Sequence, residues 1–145
     1  MTRPMNQAER DAFLRDAKPG ILAIPVAGRG PLCAPVWFDF TPGGPIWFLI
    51  QKESRKGRLI EAGTRLSLCV QRDTPPYKYV TVEGPVTDIA PYDLETDLRA
   101  MAVRYLGAEG GTEFVETMRP VHAGGGGIKV SMTPRHWLSS DYEKN

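Results

Sequence analysis

Short apolar runs punctuated by glycine and proline make up most of this chain, and helical spacing interrupts them in only a few places. Residues 21–26 and 32–40 flank the turn Ala27-Gly28-Arg29-Gly30, the pattern of a hairpin. Thr41-Pro42-Gly43-Gly44 supplies a second turn, and 46–50 returns as a third strand. Between Arg65 and Gln71 the alternation is strict: Leu66, Leu68 and Val70 take one face, Ser67, Cys69 and Gln71 the other. After the loop Asp73-Thr74-Pro75-Pro76, residues 77–89 read as one long strand. Gly84-Pro85 in its middle predicts a bulge or bend, as closed sheets need at their corners. Residues 128–132 alternate as a last strand, and 133–145 follow as a tail that still carries Trp137.

Helical spacing enters first near the N-terminus. Asn6 and Glu9 stand at capping-box separation, and Ala8, Phe13, Leu14 and Ala17 give an amphipathic helix over about 6–18, stopped by Pro19-Gly20 and placed to plug a barrel. The strongest helical stripe is Leu94, Leu98, Met101, Ala102 and Tyr105, which predicts a helix over 91–106 ended by Gly107. A shorter helix over 112–118 stops before Pro120, so 91–119 reads as a helical insertion in the strand order. The fold expected is mainly β: a six-stranded antiparallel Greek-key split barrel, with barrel strands over about 20–132 and covering helices, in one domain over 1–145. Hairpins between the first three strands leave no room for crossover helices, which excludes a parallel α/β sheet. The run Gly124-Gly125-Gly126-Gly127 precedes a strand, where a dinucleotide fingerprint requires a helix.

Composition narrows the function. A chain of 145 residues supports one core, and 15 Gly with 13 Pro suit a β fold rich in tight turns. The net charge of +1 gives no global field toward nucleic acid or a membrane surface. Cys33, Cys69, His122 and His136 show no metal-ligand spacing, so no metal is expected. Residues 1–14 lack an apolar core of the secretory kind and a transit pattern, and no apolar run reaches spanning length. The expectation is a cytoplasmic protein with reduced thiols.

The candidate site lies in 45–71. After the apolar strand, Ser54 is a good N-cap for a short helix whose first turn is Arg55-Lys56-Gly57-Arg58. Cations at a helix start oppose its partial charge of roughly +0.5. A bound phosphate held by backbone N–H groups, the Ser54 hydroxyl, Arg55 and Lys56 would remove the conflict, whereas a solvated basic turn would leave it to water. Trp37 and Trp47 suit either core or a cofactor platform, and Pro35 leaves its strand open on one side. Tyr77 and Tyr79 share a face, as a substrate wall or a subunit contact. His136 fits a solvated tail better than a proton donor, since nothing beside it orients the ring. Ser/His/Asp, Cys/His and paired-carboxylate arrangements are absent, which leaves the catalytic residues unassigned and points to chemistry carried by a cofactor.

Ser54-Arg55-Lys56 with Leu59-Ile60, Tyr79-Val80-Thr81-Val82-Glu83-Gly84 and Arg104-Tyr105-Leu106-Gly107 are the most specific parts of a resemblance that runs from about Leu14 to Trp137. In these the chain resembles the split β-barrel flavin-binding family of pyridoxamine 5'-phosphate oxidase, and within it the actinobacterial flavin/deazaflavin oxidoreductases that bind coenzyme F420. The resemblance implies a homodimer with cofactor sites at the interface; the charge balance, separately, argues for no nucleic acid and no membrane partner. It places the cofactor phosphate against Arg55 and Lys56 with Ser54 assisting and Lys52 adding charge. Pro35, Val36 and Trp37 would lie beside the ring, and Leu49, Ile50 and Gln51 along the ribityl chain. Lys78 and Tyr79 would reach in from the partner, and Trp137 would cover the ring. The activity implied is F420-dependent hydride transfer to or from an unsaturated or conjugated small molecule. The alternatives are an FMN-binding oxidase-like flavoprotein and a non-catalytic flavin, deazaflavin or haem carrier. The oxidase's Arg-x-His substrate motif is missing here, because Arg135 and His136 are adjacent, so pyridoxamine phosphate oxidation is not carried over.

Overall fold

A computed structural model describes residues 3–143. Its first element, α1 (Gln7–Arg15), starts with the expected capping box: Asn6 Oδ1 accepts from Glu9 N–H, and Glu9 Oε1 accepts from Asn6 N–H, both at 2.9 Å. Leu14 is fully buried, and Met5 and Phe13 join the same core, so α1 closes one end of the barrel.

The strands are β1 (Gly20–Ile24), β2 (Leu32–Val36), β3 (Asp39–Phe40), β4 (Ile46–Gln51), β5 (Arg65–Arg72), β6 (Lys78–Pro91), β7 (Gly127–Met132) and β8 (His136–Asp141). All pair antiparallel, in the order β2-β1-β5-β6-β7-β4-β3, with β8 also on β6. The path begins and ends on two halves of one run, 32–40, which pairs with β1 through β2 and with β4 through β3. Leu22, Phe48, Leu68, Val80, Val82 and Val130 alternate into the core as the period-two pattern requires.

Eight strands replace the expected six because one run is interrupted and the expected tail forms a further strand. The break falls at Trp37-Phe38. Phe38 is buried, and its N–H donates to the Tyr105 hydroxyl at 3.1 Å while its carbonyl accepts from Arg104 Nε at 2.9 Å, so helix side chains take the place of ladder partners. The further strand follows β7. The segment expected as a tail is instead a strand, His136–Asp141, paired with β6 from Lys78 to Glu83. The chain crosses β6 at the expected bend: Thr133 N–H donates to Pro85 C=O at 3.1 Å, Arg135 N–H donates to Glu83 C=O at 2.9 Å, and the register on β7 slips between Val86 and Asp88. Gly84 is required there, since a Cβ would overlap the Thr133 carbonyl.

The helices also differ from expectation. Pro91 still belongs to β6, so the first helical turn starts later, as a π-helical turn over Leu94–Leu98 capped by Asp93. It leads into α3 (Arg99–Ala123). Gly107, at φ 81° and ψ 173°, breaks α3 where a stop was expected, but helix resumes at Ala108 and runs through Pro120 to Ala123. Proline stands near the helix end, where the lost bond is one of the last. Tyr92, Leu94, Leu98 and Val115 form a second, smaller core, against which Leu49, Phe114 and Met118 pack. No helix among the described residues is long and apolar enough to cross a membrane.

Candidate functional site

The basic turn is fixed to the end of β4 by its cap. Ser54 N–H and Oγ both donate to Gln51 C=O, at 3.1 and 2.6 Å, and Ser54 Oγ accepts from Gly57 N–H at 3.1 Å. Gly57 is buried against the Gln51 and Lys52 carbonyls, where a Cβ would collide with both. The helix that follows, α2 (Arg55–Leu59), has no acidic residue in its first turn. Five residues carry little macrodipole, and the Ser54 hydroxyl is committed to the cap. The case for an anion therefore rests on Arg55 and Lys56. Neither makes an ion pair among the described residues, whereas Arg58 lies 3.9 Å from Glu53.

Beside this turn is a hollow of about 270 Å³. One wall is Pro35, Val36 and Trp37, where the run 32–40 breaks; a second is Leu49, Ile50 and Gln51 at the end of β4; Lys56 adds a cation. The helical insertion supplies the remaining cover through Tyr92, Leu98, Met101, Phe114 and Met118. Trp37 is a fixed wall, stacked on Tyr105 at 4.9 Å between centroids and tilted against Phe114 at 5.5 Å. The lining contains no carboxylate and no histidine. Such a surface suits an apolar ring with an anionic end, and its titratable side chains are Lys56 and Tyr92.

Two stretches of the expected site thus meet: 35–37, and 49–51 with Lys56 on the turn that follows it. Lys52, Ser54 and Arg55 lie on the adjoining turn, with Lys52 and Arg55 exposed. Lys78, Tyr79 and Trp137 are elsewhere within this chain. Lys78 Nζ is held by Asp141 and Glu143, at 3.7 and 2.9 Å. Tyr79 is on the outer face of β6, opposite Gln71 and Ser140. Trp137 lies under the Arg10 guanidinium, 4.5 Å from the ring centroid, in a separate hollow. Trp47 is covered by Lys129 Nζ at 4.5 Å, which also pairs with Asp97 at 3.2 Å. Leu98 and Met101 belong to the stripe expected for the core, and Phe114 and Met118 are one helical turn apart. Periodicity assigned that face to packing, and nothing in it signalled a hollow beneath.

No family model matches this chain, and no curated protein matches it. Solved structures do. A conserved hypothetical protein from Mycobacterium tuberculosis superposes with a TM-score of 0.76 at 22% identity, over 97% of this chain and 87% of that one. An F420 reductase gives 0.69 at 20% identity, over 88% and 94%. A FAD-binding protein from Mesorhizobium loti gives 0.66 at 15% identity, over 97% and 96%. The chain has the split β-barrel fold expected from its sequence, the architecture of flavin- and deazaflavin-binding proteins. Identities of 15–22% establish architecture; the chemistry has to come from the site.

Proposed function

We propose that this protein is an oxidoreductase that holds coenzyme F420 with its ring in the hollow between Pro35–Trp37 and Leu49–Gln51 and its phosphate against Arg55 and Lys56. FMN, with a phosphate of the same kind, is the alternative occupant. The carrying observation is that two stretches separated in sequence and named by one resemblance, 35–37 and the end of β4 with the turn after it, line a single hollow in which Lys56 makes no ion pair among the described residues. When bound, such a cofactor supplies hydride transfer to or from an unsaturated or conjugated small molecule. The chain's own part is to bind, orient and exclude water. Arg55 and Lys56 neutralise the phosphate, Trp37 is held flat by Tyr105, and Leu98, Met101, Phe114 and Met118 keep the ring's surroundings dry.

The working unit in this reading is a homodimer. Ligand pockets typically measure about 300–1,000 Å³. A hollow of about 270 Å³ lies just below that range, which is in keeping with a second copy completing it. A row of uncharged residues crosses five strands on the outer face: Pro35, Ile21, Cys69, Thr81 and Leu138 stand directly opposite one another in register. Pro35 ends this row and also lines the hollow, so a partner docked there would reach its mouth.

Titration of the apo-protein with F420 and with FMN tests the assignment. Arg55→Ala and Lys56→Ala should each weaken the bound cofactor by about 1–3 kcal/mol per lost charge-assisted contact. Unchanged affinity in both variants would remove the site. Micromolar affinity for FMN without F420 binding would select the flavin.

A further inference from the structure

We infer that a second binding site lies at the opposite end of β4, between α1, the turn over 41–45 and the bend into β8, and that it takes a small organic anion with a flat apolar body. A hollow of about 390 Å³ is found there. Ile46 lines it while Gln51 lines the hollow described above, so the two stand roughly 17 Å apart along the strand. The inference stands independently of the cofactor assignment.

Charge distinguishes this hollow from the groove under Lys78. In that groove Lys18 pairs with Asp16, Lys78 with Asp141 and Glu143, and Arg72 with Glu143, so its cations are neutralised internally. Here two guanidinium groups, Arg10 and Arg135, line the wall with one carboxylate, Asp11, and none of the three makes an ion pair among the described residues. Among the described residues the Arg135 guanidinium reaches only its neighbour's carbonyl, Pro134 C=O, at 3.4 Å. Arg10 donates through Nη1 to Met5 C=O at 3.2 Å and lies over Trp137, while its buried Nε has no acceptor among the described residues. A guanidinium left with spare donors beside an indole and the rings of Phe40 and Pro134 selects a carboxylate or phosphate on an aromatic or conjugated frame.

The purely structural alternative makes Arg10 a tie between α1 and β8 and Arg135 a solvated side chain. That alternative confers no preference for an anion. The full chain is titrated with naphthoate and with the neutral isostere naphthamide, following the Trp137 indole N–H signal by NMR, assigned with Trp137→Phe. Naphthoate should give a saturable shift, with naphthamide about tenfold or more weaker. Arg135→Gln, an exposed change, should weaken naphthoate about ten- to hundredfold, the loss of one charge-assisted contact. Lys56→Ala should leave it unchanged. Equal binding of acid and amide, no saturable shift, indifference to Arg135→Gln, or a loss in Lys56→Ala would each overturn the site.

Discussion

Trp37 lies flat on Tyr105, their ring centroids 4.9 Å apart and their planes 5° from parallel. The same tyrosine hydroxyl donates to Lys18 C=O at 2.8 Å and accepts from Phe38 N–H at 3.1 Å. One side chain therefore supports the wall of the hollow, holds the strand break open and anchors the segment leading into β1. Tyr105→Phe keeps the stack and removes the hydroxyl, leaving a part-buried donor and acceptor unmatched. The expected cost is about 1–3 kcal/mol, read as a fall in chemical or thermal denaturation midpoint. A variant as stable as the parent would mean that water replaces the hydroxyl there.

The same residue gives the fold an alkaline limit. Burial pushes the Tyr105 phenol up from its ordinary value of 10.0, although the Phe38 backbone and the Arg104 charge act in the other direction. A group whose folded pKa is raised contributes stability that is complete below the unfolded value and is lost as pH rises through the folded one. Unfolding free energy should therefore decline above about pH 10. In Tyr105→Phe this part of the decline should disappear. Parallel denaturation curves of the two proteins from neutral pH upward measure the difference, and identical slopes would assign the alkaline loss to other groups.

Arg104 is the second tie at this junction. Its Nε donates to Phe38 C=O at 2.9 Å, Nη1 to Arg15 C=O at 3.1 Å and Nη2 to Leu14 C=O at 2.7 Å, joining α3, α1 and the strand break. Lysine keeps the charge but has no planar fork to serve three carbonyls in different directions. Arg104→Lys should cost about 3 kcal/mol, since charge-assisted bonds to part-buried carbonyls are lost together. Hydrogen exchange should accelerate in α1 and around Phe38 before it does in β5 and β6. Uniform acceleration would show that the tie stabilises the whole barrel and has no local role.

The parts of this architecture that follow from local rules were legible in the sequence. The alternation of Leu66, Leu68 and Val70 and the Asn6–Glu9 capping box depend on neighbours in the chain, and Gly84-Pro85 marks the bend by residue type although the Thr133 carbonyl that requires the glycine lies far along the chain. The interruptions were not, because they are made by distant side chains. Phe38 leaves its ladder for Arg104 and Tyr105, more than sixty residues later, and nothing near Phe38 announces it. β8 went unseen because His136-Trp137-Leu138 does not alternate cleanly; its pairing is set by β6. The hollow divides the same way. Its strand and turn residues were named from the Ser-Arg-Lys resemblance, whereas Leu98, Met101, Phe114 and Met118 look like ordinary core on a helical wheel. Only the packing of the insertion over Leu49 shows that they roof a space.

The outer row from Pro35 to Leu138 yields the last expectation. Ile21 is 44% exposed and Leu138 61% exposed in the single chain, an apolar exposure that alternation alone would have filled with polar residues. If a second copy covers this face, a lysine at Leu138 puts an unpaired charge into the interface while disturbing no packing inside the barrel. Leu138→Lys should then sediment as a monomer, keep its thermal midpoint at low concentration, and bind F420 or FMN more weakly because each hollow lacks its complement. Lys56→Ala should weaken the same cofactor without changing the sedimentation coefficient. That contrast separates loss of the partner from loss of the phosphate contact. A parent protein that sediments as a monomer at micromolar concentration, with cofactor bound, would leave the row exposed and end the dimer assignment.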